Sequence, residues 1–196
     1  MSDRRSIGML LLLFPMALIL SYAFIGGGIK LLDYLTDKIA QSRQRQLLHW
    51  FLSISLIIII NIWVILDFYT AVLALGLAFG LLGARKVDNI YFTIIAVISL
   101  YVALYQIFGV FLFLLPTLFA LIPAVIIDEV IHSAAQRTSQ PTLQWVLTHR
   151  PLVKIVVLIL PFFGLLTFIH TVGFWCFDIA YDLVAYYFRA PSTINH

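Results

Sequence analysis

The chain has 196 residues, 63% of them apolar and 11% charged, with a formal charge of +3 and a mean hydropathy of +1.06. Soluble domains run at roughly 45–50% apolar and about 25% charged, so a soluble enzyme, a DNA-binding domain and a disordered tail are excluded. The composition fits an all-α, polytopic membrane helical bundle without a soluble domain, read as one integral-membrane domain over 1–196 with about six crossings of about 20 residues each.

The predicted spans fall at 7–32, 47–66, 68–84, 90–108, 110–127 and 152–175. The first follows Met-Ser-Asp-Arg-Arg-Ser. Its apolar run exceeds a signal-peptide core and has no A-x-A site, so it reads as an uncleaved helix. It carries Pro15 and the triplet Gly26-Gly27-Gly28. The polar stretch Asp33 to Gln46 separates it from span 2, where His49 and Trp50 open the helix and Asn61 sits at mid-depth, suited to bonding a neighbouring helix. Unbroken runs such as Ile54 to Ile60 exclude the alternating pattern of a transmembrane barrel. Asp67-Phe68-Tyr69-Thr70 reads as a tight turn. Span 3 places Gly76, Gly80 and Gly83 on one face, which predicts close packing against another helix. Spans 4 and 5 are divided near Gln106 to Gly109, and Pro116 and Pro123 lie in span 5. The longest polar stretch, Asp128 to Arg150, precedes span 6. Trp175, Tyr181, Tyr186 and Tyr187 read as an interfacial aromatic belt.

Six crossings put both termini on one side. Lys30, Lys38, Arg43, Arg45, Arg85, Lys86, Arg137, Arg150 and Lys154 then share the other side, against Arg4, Arg5 and Arg189. Because cytoplasmic loops carry the excess of Lys and Arg, the expectation is a cytoplasmic (inner) membrane protein with both termini on the non-cytoplasmic side.

The same arrangement gathers acids on the basic side. Asp33 and Asp37 are spaced i, i+4 and share a helix face. Asp88 follows span 3, Asp128 and Glu129 end span 5, and His132 lies one turn beyond Asp128. Asp88-Asn89 also suits a helix N-cap. The other acids lie near helix C-termini, where the helix dipole disfavours negative charge by about 0.3–1 kcal/mol each. Nearby cations or a metal would offset that cost.

Carboxylates without cysteines select a hard cation, and Mg²⁺ takes one or two of them plus phosphate oxygens. The expected metal ligands are Asp33, Asp37, Asp88 and Asp128. Lys30, Arg85 and Lys86 would meet phosphate, and His132 and Glu129 would serve as catalytic acid–base groups. The D-x-x-x-D spacing of Asp33 and Asp37 resembles one element of intramembrane prenyltransferases and CDP-alcohol phosphotransferases. Lys30 stands where the former have further Asn and Asp residues, and the D-G-x-x-A-R run of the latter is absent.

These features lead to three readings. The first is a metal-dependent enzyme acting on a phosphorylated lipid or polyprenyl substrate at the cytoplasmic face. The second is a small transporter or channel, consistent with the Gly- and Pro-interrupted spans. The third is a non-catalytic scaffold or assembly factor. Membrane lipids are the expected partners, a homo-oligomer is compatible with the sequence, and nucleic acid is not expected. There is no haem, flavin or nucleotide motif, and the single cysteine, Cys176, excludes a multi-cysteine metal site. On the opposite side Asp178 and Asp182, again at i, i+4, have His170 and Cys176 near in sequence, a minor candidate metal group.

Overall fold

A computed structural model of the chain describes residues 2–38, 43–84, 90–107, 111–135 and 149–188, with side chains over 13–36, 46–84, 91, 93–106, 114–135 and 149–188. Among these residues the fold is helical throughout. The helices are α1 (Ser2–Lys38), α2 (Arg43–Leu66), α3 (Phe68–Gly83), α4 (Ile90–Ile107), α5 (Phe111–Ala135), α6 (Pro151–Ile159) and α7 (Phe168–Phe188), with a 3₁₀ turn at Leu160–Phe163. By length and composition Leu13–Thr36, Gln46–Leu66, Leu114–Ala135 and Phe168–Phe188 can each cross a bilayer, and shorter apolar helices occupy Phe68–Gly83, Thr93–Gln106 and Pro151–Phe163. Large apolar side chains such as Leu20, Phe51, Ile54, Tyr101 and Phe119 face outward, as a surface solvated by lipid tails requires.

α4 is described to Ile107 and α5 from Phe111, and the predicted division near Gln106 to Gly109 lies partly outside the described residues. The predicted sixth span is not one helix. Pro161 and Gly164 break it: Gly164 adopts φ 70° and its N–H closes on the carbonyls of Leu160 and Pro161. Proline cannot donate to the helix ladder, and glycine takes the left-handed C-terminal position without a Cβ clash. The chain restarts at Phe168 and continues to Phe188, so the aromatic residues read as a belt lie along α7.

The chain divides into two compact units, one of Met1–Ile59 with Val172–His196 and one of Ile60–Thr171. In the first unit α1 and α2 are antiparallel: Thr36 meets His49, and Gly28 lies against Leu56. α7 runs parallel to α1. Gly173 lies on Tyr22, Gly26 on the backbone of Phe177, Lys30 on Tyr181 and Tyr34 on Phe188. A Cβ at Gly26 would stand 2.0 Å from the Phe177 carbonyl oxygen, so only glycine admits this backbone approach.

In the second unit α3 and α5 are parallel. Gly76, Gly80 and Gly83 face Leu121, Val125 and Ile126, the close packing that their spacing predicts. The end of α2 runs beside α4, with Asn61 donating to Ser99 (3.5 Å) and Gln106 to the Ile65 carbonyl (3.1 Å). α6 is antiparallel to α5: its start meets Asp128, and beyond it the Leu165 carbonyl accepts from Thr117. The core consists of Val64, Ala71, Val72, Leu75, Ala103, Leu114 and Leu118.

Candidate functional site

Parallel packing of α3 and α5 gives the second unit two distinct ends. At one, α5 finishes and α6 starts. Asp128, 1% exposed, directs its two carboxylate oxygens at the first free amides of α6, accepting from Leu152 N–H (3.1 Å) and Val153 N–H (2.6 Å). It does the work of an N-cap side chain from another helix, and its charge complements the helix N-terminus. Glu129, 2% exposed, is paired with the Arg150 guanidinium at 2.5 Å. Arg150 precedes α6 in a left-handed conformation, φ 48° and ψ 61°, costing about 1–2 kcal/mol for a residue with a Cβ. Both acids are thus bound to the residues that start α6.

Of the other sequence-predicted site residues, Asp33 is salt-bridged to Lys30 at 2.6 Å one turn away on α1. The Lys30 ammonium lies 5.1 Å from the Tyr181 ring centroid. His132 lies on the last turn of α5, half-buried. The side chain of Asp37, and Arg85, Lys86 and Asp88, fall outside the described residues. Among the described residues no three His, Cys, Asp or Glu side chains form a group able to hold a metal ion.

At the opposite end lies a constellation that the sequence reading did not assemble. Asp67 caps α3, its side chain accepting from the Thr70 amide at 2.6 Å, so the D-F-Y-T turn is also a helix start. The same oxygen lies 2.6 Å from His170 Nε2, more than a hundred residues on in the chain. His170 Nδ1 lies 2.5 Å from the Thr167 hydroxyl. Thr167 stands just before α7, and its carbonyl accepts from the amides of His170 and Thr171. The Tyr69 ring rests against the imidazole with centroids 5.3 Å apart, and His170 is 2% exposed.

Hydrogen-bond chemistry fixes the direction of this chain at its carboxylate end. Burial pushes the Asp67 carboxyl up, but hydrogen bonds from His170 and Thr70 outweigh it and hold the group below its ordinary value. The carboxylate only accepts, so Nε2 carries the hydrogen. In the neutral imidazole Nδ1 is then a lone pair facing the Thr167 hydroxyl. A carboxylate that orients an imidazole whose other nitrogen meets a hydroxyl has the parts of an activated nucleophile.

The sequence carried partial signals. D-x-x-T at 67–70 has the spacing of an N-cap side chain and the amide it accepts from, while Pro161 and Gly164 mark the break that frees Thr167 to start a helix. His170 was grouped with Asp178, Asp182 and Cys176 by proximity in sequence; the structure gives it Asp67 and Thr167.

No family model, curated protein or solved structure matches the chain.

Proposed function

We propose that this chain is a multi-pass integral membrane enzyme in which His170, oriented by Asp67, activates the hydroxyl of Thr167 as a nucleophile. The Asp67–His170–Thr167 hydrogen-bond chain carries this reading. Ionisable residues buried in membrane bundles are costly and concentrate at functional sites. The general-base arrangement requires the hydroxyl within hydrogen-bond reach of the imidazole, as it is here. Thr167 is half-buried and His170 is 2% exposed, so the hydroxyl is the more accessible of the two residues to a substrate.

The packing argues against a transport path through the second unit. Val72, Leu75 and Leu121 are fully buried, and α3 meets α5 through glycines with no room for a Cβ. A reaction at one end of a sealed bundle fits better than a route through it.

The parallel course of α1 and α7 also supports an odd number of crossings, with the N-terminus and Phe188 on opposite sides. On the positive-inside rule this reading puts the Phe188 end of α7 on the cytoplasmic side and the start of α1 on the other, in place of the expected pair of non-cytoplasmic termini.

The test is covalent. A fluorophosphonate probe phosphonylates an activated hydroxyl with loss of fluoride. In detergent-solubilised protein it should modify Thr167, identified by peptide mass spectrometry. Thr167→Ser should retain labelling, Thr167→Val should abolish it, and His170→Gln should slow it in monodisperse protein. An unlabelled Thr167 in the wild type, or labelling indifferent to His170→Gln, would overturn the reading.

A second reading keeps Mg²⁺-dependent chemistry on a phosphorylated lipid, with Asp88 toward the metal, His132 as an acid–base group, and Arg85, Lys86 and Arg150 toward phosphate. The observation in its favour is Arg150, held by buried Glu129 with 35% of its side chain exposed. Mg²⁺-dependent turnover of a polyprenyl diphosphate, lost in Asp88→Asn, is its test.

A further inference from the structure

We infer that the substrate of the Thr167 site is a long-chain acyl ester with an uncharged head, taken directly from the bilayer; this rests on the nucleophile reading above. The observation is the surface around the hydroxyl. The chain before Thr167 turns at Leu160–Phe163 and Gly164, leaving Phe162 and Phe163 each 73% exposed and Phe168, just after Thr167, 57% exposed. Phe162 and Phe168 stand edge to face with centroids 5.3 Å apart, bracketing the segment that holds Thr167. In a bundle whose outer surface meets lipid tails, this aromatic rim continues the lipid-facing surface up to a polar atom able to react. An acyl chain can lie along it without leaving the apolar phase, and its ester carbonyl is then brought beside the hydroxyl.

Charge selects the head. The site holds an ionised carboxylate, Asp67, and its other polar members are imidazole and hydroxyl. The described cations of this unit, Arg150 and Lys154, both belong to the start of α6, at the opposite end. Among the described residues of this unit a phosphate or carboxylate head would meet a like charge and no lysine or arginine, whereas a glycerol or simple alcohol head meets neither penalty.

The step balances without a metal or redox partner. The Thr167 oxygen bonds to the acyl carbon as its proton passes to His170 Nδ1. The ester C–O bond breaks, and the departing alkoxide takes that proton. Water, deprotonated by the same nitrogen, then cleaves the acyl–threonine bond, releasing a fatty acid and restoring the hydroxyl.

The experiment uses the full chain in detergent micelles with p-nitrophenyl butyrate and dodecanoate, and with 1-lauroylglycerol against 1-lauroyl-glycerol-3-phosphate. The expected result is a kcat/KM for dodecanoate at least about tenfold above butyrate, as burial of added methylenes requires, and cleavage of the glycerol ester in clear preference to its phosphate. Phe162→Ala with Phe163→Ala should lower the dodecanoate-to-butyrate ratio. Fluorophosphonate labelling of Thr167 with equal cleavage of the phosphate ester, or without any long-chain cleavage, would overturn this inference and leave the nucleophile reading standing. Absence of labelling would remove both.

Discussion

The two ends of the second unit use the same device for different results. At each, an aspartate, half-buried at 67 and buried at 128, accepts an amide at a helix N-terminus: Asp67 from Thr70, and Asp128 from Leu152 and Val153. At the α6 end Asp128 directs both oxygens at backbone amides, and Glu129 is paired with a guanidinium that does not give up its proton. At the α3 end the carboxylate reaches on to an imidazole and a hydroxyl, a general-base nitrogen beside a group that can give up its proton to it on attack. Buried acids therefore do not identify a reactive site by themselves. What their partners can do with a proton separates one end from the other.

The largest effect that would sharpen this contrast concerns His170. Removing a general base typically costs about 10²- to 10⁴-fold in rate, and His170→Gln should slow fluorophosphonate labelling within that range. Asp128→Ala should leave labelling unchanged. If both substitutions slow it alike, the two ends are one cooperative scaffold and the distinction fails.

The second effect runs the other way. Asp128→Ala removes the acceptor for two amides at the start of α6 and leaves the strained Arg150 position without that support. Global stability in detergent should fall by about 2–4 kcal/mol. A loss below about 0.5 kcal/mol would mean that the amides find other acceptors and that Asp128 is free for chemistry.

Much of this was legible in the sequence, and the reason is periodicity. Unbroken apolar runs gave the helices, the spacing of Gly76, Gly80 and Gly83 gave a tight interface, and Asn61 gave an interhelical bond. The split of the sixth span was also written, in Pro161 and Gly164, but hydrophobicity is continuous across the break, so the apolar run hid it. The Asp67–His170 contact had no such trace. It joins residues far apart in the chain, and a lone histidine in an apolar run looks the same whether its partner is lipid headgroup, water or carboxylate. The acids read as a metal group illustrate the converse. Position at helix ends is visible in sequence, but whether Asp128 faces a cation or the amides of α6 depends on where α6 begins.

A smaller effect tests the glycine packing that seals the bundle between the two ends. A Cβ at Gly80 would stand 2.5 Å from the Val125 Cβ, whereas one at Gly27 would meet Val184 at 3.4 Å, ordinary contact. Gly80→Ala should therefore cost about 1–3 kcal/mol through overpacking, and Gly27→Ala should be neutral. Thermal unfolding of both in the same detergent makes the comparison. Equal, small effects would mean that α3 and α5 separate easily, and the argument against a path through this unit would lose its basis.

The smallest effect is the pH dependence of Asp67. Its carboxyl is held below its ordinary value because bonds from His170 and Thr70 outweigh the burial that pushes it up. As pH falls, the unfolded chain therefore takes up this proton before the folded one does. The stabilisation is complete above the unfolded carboxylate value of about 3.9 and is lost as pH drops through the lower folded value. Asp67→Asn cannot show this loss. Wild type should unfold at a higher temperature than Asp67→Asn at about pH 5, and the gap should narrow toward about pH 3. A gap between wild type and Asp67→Asn that stays constant over this interval would show that the carboxylate does not hold His170 through its charge, and the orientation of the base would need another source.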